Sequence, residues 1–298
     1  LLGPVASRLG QKRLVIVADG ALQYLPFAAL PDPASASDRS TPQPLIVNHE
    51  IVNLPSTSVL ATLRSQLTRR EPPSNQLAII ADPVFSARDE RLKKNSNTVV
   101  ASTPERWDRL KGTRAEADRL AALINTDKPL RALDFEATRE LATSGVLSKY
   151  RHVLFATHAE VNDLHPESSA IVLSLVDEKG NSRDGYLRLN EIYNLKLSAD
   201  LVVLSGCQTG LGQEVRGEGL IGLTRGFMYA GAPRVMASLW QGNDLETSEL
   251  IVRFYRSMLK DGKRPAAALR AAQLELLKST RWQAPYYWAG FVLQGEWK

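Results

Sequence analysis

Two hydrophobic patterns alternate along this chain. Short runs rich in aliphatic residues, each only a few residues long, occupy residues 14–18, 77–81, 130–133, 152–157, 201–204, 234–239 and 289–293. Runs of that length without polar alternation predict strands covered on both faces, the pattern of a parallel sheet. Between them the apolar positions fall at helical spacing, predicting helices over residues 56–67, 113–124, 138–146, 217–230 and 245–260. The helix over 245–260 carries the clearest stripe, with Leu250, Ile251, Phe254, Tyr255, Met258 and Leu259 on one face. Pro265 marks the first turn of a last helix, where its missing N–H costs nothing. Thr113 and Glu116 have capping-box spacing. Residues 45–54 read as a further strand, and 170–175 with 186–189 as a small hairpin around Asp184-Gly185. Strands alternating with helices imply an α/β fold whose sheet is largely parallel and joined by right-handed crossovers.

Polar stretches punctuate this rhythm. Arg69-Arg70-Glu71-Pro72-Pro73-Ser74-Asn75 is the clearest linker and marks an internal boundary. Residues 82–110 and 177–185 are either activation or substrate loops or plain solvated connections.

Composition narrows the classes. With 298 residues, 44% of them hydrophobic, the chain can bury one large core or two modest ones. The net charge of +5 is spread over scattered Lys and Arg among 32 acidic residues, so no basic patch for nucleic acid or a membrane surface is expected. Every apolar run is far shorter than the roughly 20 residues that a membrane helix needs. A single cysteine excludes an internal disulfide and a multi-cysteine zinc cage, and fits a reducing, cytoplasmic compartment. No His-Glu-x-x-His or other clustered ligands suggest a metal, and no cofactor is expected. Gly217-Glu218-Gly219-Leu220-Ile221-Gly222 spells the dinucleotide fingerprint, but it does not directly follow a strand as that motif should. The first residue is Leu1, and the chain is expected to be a piece of something longer.

The single cysteine, Cys207, follows the run 201–204 through Ser205-Gly206, and His158 follows the run 152–157. In open α/β sheets chemistry gathers at the carboxyl ends of strands, so a thiol and an imidazole at two strand tips share one edge. Gly206 and Gly210 let the backbone turn sharply beside the thiol. The separation, 207 − 158 = 49 residues, is close to the His-to-Cys spacing of caspases. A buried cysteine is often inert packing and a strand-end histidine often caps a carbonyl, so each residue alone has a plain structural explanation. His49 and His152 sit on or beside apolar runs and read as structural, while His165 competes with His158 as proton carrier. Together, thiol and imidazole suit a cysteine peptidase: a thiolate attacks, an imidazole protonates the leaving amine, and backbone N–H groups hold the oxyanion. The N–H groups of Cys207 and Ala159 are the expected donors. An inactive scaffold that only binds partners is the alternative.

These residues carry a family resemblance. Ala156-Thr157-His158, Leu204-Ser205-Gly206-Cys207-Gln208-Thr209-Gly210, Tyr229-Ala230-Gly231-Ala232 and Ser238-Leu239-Trp240 resemble the CHAT domain. So do Phe254-Tyr255, Ala268-Leu269-Arg270-Ala271-Ala272-Gln273 and Tyr287-Trp288-Ala289-Gly290-Phe291. Earlier pieces match as well, namely Leu25-Pro26-Phe27-Ala28-Ala29-Leu30, Leu54-Pro55-Ser56, Asp82-Pro83-Val84-Phe85 and Leu110-Lys111-Gly112-Thr113-Arg114-Ala115-Glu116. CHAT domains are caspase-like peptidases related to separase and often attached to tetratricopeptide repeats. The resemblance implies a mostly parallel six-stranded caspase-like sheet with helices on both faces in residues 74–298, and an accessory part in residues 1–70. It implies a catalytic dyad of His158 and Cys207, a protein substrate, and repeat or sensor modules outside the fragment. Where the family has glycine after the histidine, this chain has Ala159, and the change matters if that position requires positive φ. In separase-like relatives an acidic residue after the Leu-Trp strand lines a pocket for a basic P1 side chain, and Asp244 matches it. The other reading of Asp244 is N-cap of the helix beginning near Leu245.

Overall fold

In the computed structural model all residues are described except 36–42, 69, 93–105, 125–128, 163–164, 210–218, 241 and 298; the side chains of 66, 207–209 and 219–221 are also outside the description. The described elements run α1 (Ala6–Leu9), β1 (Leu14–Ile16), β2 (Ile51–Asn53), α2 (Thr57–Leu67), β3 (Asn75–Pro83), α3 (Lys111–Ala121), β4 (Leu130–Asp134), α4 (Arg139–Thr143) and β5 (Tyr150–Val161). They continue β6 (Ala170–Val172), β7 (Tyr186–Arg188), α5 (Leu189–Asn194), β8 (Leu201–Thr209), α6 (Gly219–Tyr229), β9 (Arg234–Ser238), α7 (Asp244–Leu259), α8 (Pro265–Leu277) and β10 (Phe291–Gly295).

One sheet holds every described strand, in the order β1-β2-β10-β9-β8-β5-β3-β4, with β6 added to β5 and β7 to β6. β8 pairs in parallel with β5 and with β9, and β3 in parallel with β5 and β4. β10 runs antiparallel to β9, and the β6–β7 pair is antiparallel throughout. The fold is therefore mixed α/β with a mostly parallel sheet. The six strands β10-β9-β8-β5-β3-β4 lie in the part of the chain where six were expected, and the sheet is larger than that. β1 and β2 extend it beyond β10, and β6 and β7 form a flap on β5. Residues 1–70 thus share a sheet with the rest of the chain, and a salt bridge from Arg64 on α2 to buried Glu296 fastens them to the segment after β10.

Successive aliphatics in β8 face opposite layers, which is why its sequence shows no polar alternation. Val202 and Leu204 pack with Leu223 and Phe227 of α6 and Ile192 of α5. Leu201 and Val203 pack with Leu250 and Phe254 of α7 and Leu120 of α3. Of the striped helix, Leu250, Ile251, Phe254, Tyr255 and Met258 are buried. Gly226 lets α6 lie close to α5, since a Cβ there would lie 2.8 Å from the Leu189 Cδ1.

Several local expectations are corrected. Residues 45–54 are not one strand: Leu45–Val47 is a 3-10 turn closed by the Asn48 N–H on the Leu45 carbonyl, and only Ile51–Asn53 pairs. The flap turns at Asp177–Asn181, where the Asp177 N–H donates to the Asn181 carbonyl, and not at Asp184-Gly185. Thr113 and Glu116 form no capping box, since α3 starts two residues earlier, at Lys111. Thr113 Oγ1 instead donates to the Leu110 carbonyl and accepts from the Asp82 N–H, while Glu116 is buried against Ser205.

Candidate active site

β5 and β8 are neighbours and run the same way, so their carboxyl ends share one edge of the sheet. Phe155 lies opposite Leu204, and His158 opposite Gly206. Three steps on β5 (158 − 155) match two on β8 (206 − 204), so β5 holds one extra residue at Ala156-Thr157. Such a bulge bends its strand and re-aims the side chains after it. The Thr157 hydroxyl donates to the Val172 carbonyl on β6, 2.5 Å away, and holds the bulge in place. Gly206 faces the bulge so closely that a Cβ would lie 2.3 Å from the Thr157 carbonyl oxygen.

Pairing resumes beyond the bulge and continues to Val161 opposite Thr209. His158 and Cys207 therefore do not terminate their strands, as the aliphatic runs suggested; each lies within a strand that runs on past its apolar segment. Ala159 pairs with Cys207, which places the His158 and Cys207 backbones as diagonal neighbours, roughly 6 Å apart from ideal strand spacing. The Cys207 side chain lies outside the described residues. Gly210 does too.

The imidazole of His158 is 4% exposed. It packs against Phe85 and Trp107, with ring centroids 5.2 and 5.0 Å away. Its Nε2 lies 2.7 Å from the carbonyl oxygen of Asp108. A carbonyl only accepts, so Nε2 carries the proton and Nδ1 of the neutral ring keeps its lone pair. Burial lowers the imidazole pKa, opposed by the hydrogen bond to Asp108 and by the charges of Asp108 and Asp244. The ring is thus neutral at pH 7 and can take a proton through Nδ1.

The segment bearing Trp107 and Asp108 is anchored by charge. Asp82, its side chain fully buried at the end of β3, accepts from Arg109 Nε and Nη2 at 2.8 and 2.7 Å and from Arg114 Nε at 2.7 Å. Arg91 reaches Asp82, Asp89 and Asp134 within 3.0 Å. Asp82 and Asp134 hold the left-handed backbone that aspartate tolerates better than most residues, with φ of 46° and 54°. Trp107 Nε1 donates to Tyr186 of the flap at 3.2 Å.

Asp244 opens α7 but does not cap it; the N-cap is Asn243, whose Oδ1 accepts from the Leu245 N–H at 3.1 Å. The Asp244 carboxylate caps a different helix, accepting from the Gly112 N–H in the first turn of α3. The fit is tight, since a Cβ on Gly112 would lie 2.7 Å from the Asp244 Cγ. Burial raises the Asp244 pKa, against the pull of the Gly112 N–H and of His158. Ala159 is buried, lies between Cys207 on β8 and Ile171 on β6, and needs no positive φ. The other histidines are elsewhere. His49 bonds the Lys12 carbonyl, His165 is exposed beside Glu167, and His152 is buried at the opposite end of β5. Among the described residues no group of His, Cys, Asp and Glu could hold a metal ion.

The Asp108 carbonyl had no signature in the sequence, because any residue supplies one. The aromatic cover of His158 was partly visible, since Phe85 closes one of the family-like segments.

A family model for the CHAT domain matches residues 1–296. The chain belongs to the CHAT domain family. Relatives of this CHAT chain include tetratricopeptide repeat protein 28 of Mus musculus, 25% identical over 316 residues, and of Homo sapiens, 26% identical over 328. Each match covers 98% of this chain but 12% of the relative's length. Among solved structures, the Saccharomyces cerevisiae separase–securin complex aligns over 95% of this chain and 15% of that one, with a TM-score of 0.55 and 13% identity. The Arg-specific cysteine proteinase gingipain R aligns over 84% of this chain and 55% of that one, with a TM-score of 0.50 and 10% identity. The CHAT chain therefore has a caspase-like fold.

Proposed function

We propose that this CHAT domain is a cysteine endopeptidase with His158 and Cys207 as its dyad. The observation that carries the reading is the imidazole fixed by the Asp108 carbonyl through Nε2, on the strand paired with the one holding Cys207. The thiol proton passes to His158 Nδ1 as sulfur attacks the substrate carbonyl. The resulting oxyanion takes hydrogen bonds from the Cys207 and Ala159 N–H groups. As the intermediate collapses, His158 returns the proton to the leaving amine; water, deprotonated by the same ring, then hydrolyses the thioester and frees the thiol.

The half-buried carboxylate of Asp244 is within electrostatic reach of His158 and suits a basic P1 residue. Its second task, capping α3, is separable: Asp244→Asn keeps an acceptor for the Gly112 N–H and removes the charge. Asn should abolish the preference for Arg or Lys at P1 with little loss of stability, while Ala should lose both. We assign the substrate to the protein class, place repeat modules outside this fragment, and place the domain in a reducing compartment such as the cytoplasm, which keeps the lone thiol free. Among the described residues no helix is long and apolar enough to cross a membrane.

A non-proteolytic scaffold is the second reading, and the covering of His158 by Phe85 and Trp107 favours it. A peptide electrophile with arginine at P1, followed by intact mass, separates the two. The peptidase reading expects Cys207 to be modified far faster than a free thiol, with the excess lost in His158→Ala. Equal slow labelling of both proteins would establish the scaffold.

A further inference from the structure

At the opposite edge of the sheet, where β5, β8 and β9 begin, lies a cavity of about 530 Å³. That is within the usual range for a small-molecule site. His152 lies six residues before His158 on β5, so the cavity is roughly 20 Å from the dyad edge. Among the described residues four cations line it, namely Arg151, Arg234, Lys260 and Lys263, against one carboxylate, Asp200.

Asp200 is already shared. Arg151 Nε donates to its Oδ2 at 3.1 Å, Arg70 approaches its Oδ1 at 3.7 Å, and Arg234 donates to its backbone carbonyl at 3.2 Å. Burial pushes the pKa of both Arg234 and Arg70 down, opposed by the charge of Asp200 at both and by that of Glu296 at Arg234. Lys263 pairs with Asp261, whereas Lys260 has no ion pair among the described residues. His152 forms part of the wall, buried, and its Nδ1 has no hydrogen-bond partner among the described residues. The rest of the lining is largely aliphatic, with Leu123 and Ile124 contributed by the turn after α3 and Met258 by α7. An excess of cations beside an apolar wall matches a ligand that is charged at one end only.

We propose that this cavity binds a small organic phosphate, with the phosphate held by Arg234, Lys260 and Lys263 and an apolar or aromatic body against Leu123 and Met258. Guanidinium and ammonium groups together favour a dianion over a monocarboxylate. The site is independent of the dyad and of the peptidase reading.

The test uses 1-naphthyl phosphate as probe, with inorganic phosphate and 1-naphthol as its two halves. Calorimetry should give one saturable site for the whole probe, at least about tenfold tighter than either half. The Lys260→Ala/Lys263→Ala double variant changes only exposed side chains and should weaken binding by about tenfold or more. In imidazole-selective NMR, saturation should move the His152 ring signals and leave those of His158 in place. The proposal is overturned if the double variant binds like the wild type, if 1-naphthol binds as tightly as its phosphate, or if His158 moves and His152 does not. Absence of saturable binding up to about 5 mM overturns it as well.

Discussion

Glu116 offers the sharpest quantitative test. It sits on α3, 1% exposed, with its Oε1 accepting from the Ser205 hydroxyl at 3.3 Å and its Oε2 without a hydrogen-bond partner among the described residues. Burial pushes its pKa from 4.5 to about 8, with Asp244 adding to the shift and the Ser205 hydrogen bond opposing it. The folded protein therefore holds a proton on Glu116 at neutral pH that the unfolded chain has released. Where the folded state binds more protons, stability falls as pH rises. The contribution of Glu116 is fully present below pH 4.5 and is lost by the time pH passes about 8. The gap of 8 − 4.5 = 3.5 amounts to on the order of 5 kcal/mol, or about 1.4 kcal/mol per pH unit across that window. Glu116→Gln has the same shape, can still engage Ser205, and does not titrate. Urea unfolding of both proteins at intervals from pH 4.5 to pH 9 isolates the effect, because groups common to both cancel in the difference. Stability of the wild type relative to Glu116→Gln should fall steadily with pH, leaving the variant the more stable protein by several kcal/mol at pH 9. Two parallel curves would show that Glu116 is solvated or paired in solution and would refute the reasoning.

Other substitutions probe the architecture around the site. Gly206→Ala puts a Cβ 2.3 Å from the Thr157 carbonyl oxygen and should cost about 1–3 kcal/mol in chemical denaturation while also lowering Cys207 labelling; an unchanged labelling rate would mean the bulge does not position the dyad. Asp82→Ala removes the buried carboxylate that Arg91, Arg109 and Arg114 share and should cost about 3–5 kcal/mol. Faster amide exchange over residues 106–112 should accompany that loss, and unchanged exchange there would count against the anchoring role. Gln273→Leu leaves the Trp288 and Phe291 carbonyls without the Nε2 donor that now lies 2.8 and 3.0 Å away, a loss of about 1–3 kcal/mol readable as a lower Tm.

The elements were legible where hydrophobic pattern is local. The aliphatic runs gave β3, β5, β8 and β9 their positions, and the stripe on α7 faces inward as its spacing required. The family resemblance carried by the short motifs also holds over nearly the whole chain. Errors arose where pairing or a distant partner decides. The run 201–204 is a strand by its own composition, but its extension through Cys207 to Thr209 exists because β5 resumes pairing after its bulge. Glu116 has the spacing of a capping residue, yet it is drawn into the core because α3 packs over Ser205 and the Thr113 N–H already donates to the Leu110 carbonyl.

The amino-acid order by itself determined where the central strands and the main helices lie, that the sheet is mostly parallel, and that a lone thiol and an imidazole follow two of its aliphatic runs. These are short-range properties of side-chain type and spacing. Only the tertiary structure decided that those two strands are neighbours, which nitrogen of His158 carries the proton, which helix Asp244 caps, and that cations gather at the far edge. Each of these depends on register and on backbone groups brought together from tens to more than a hundred residues apart, and a backbone carbonyl or N–H looks the same at every position of a sequence.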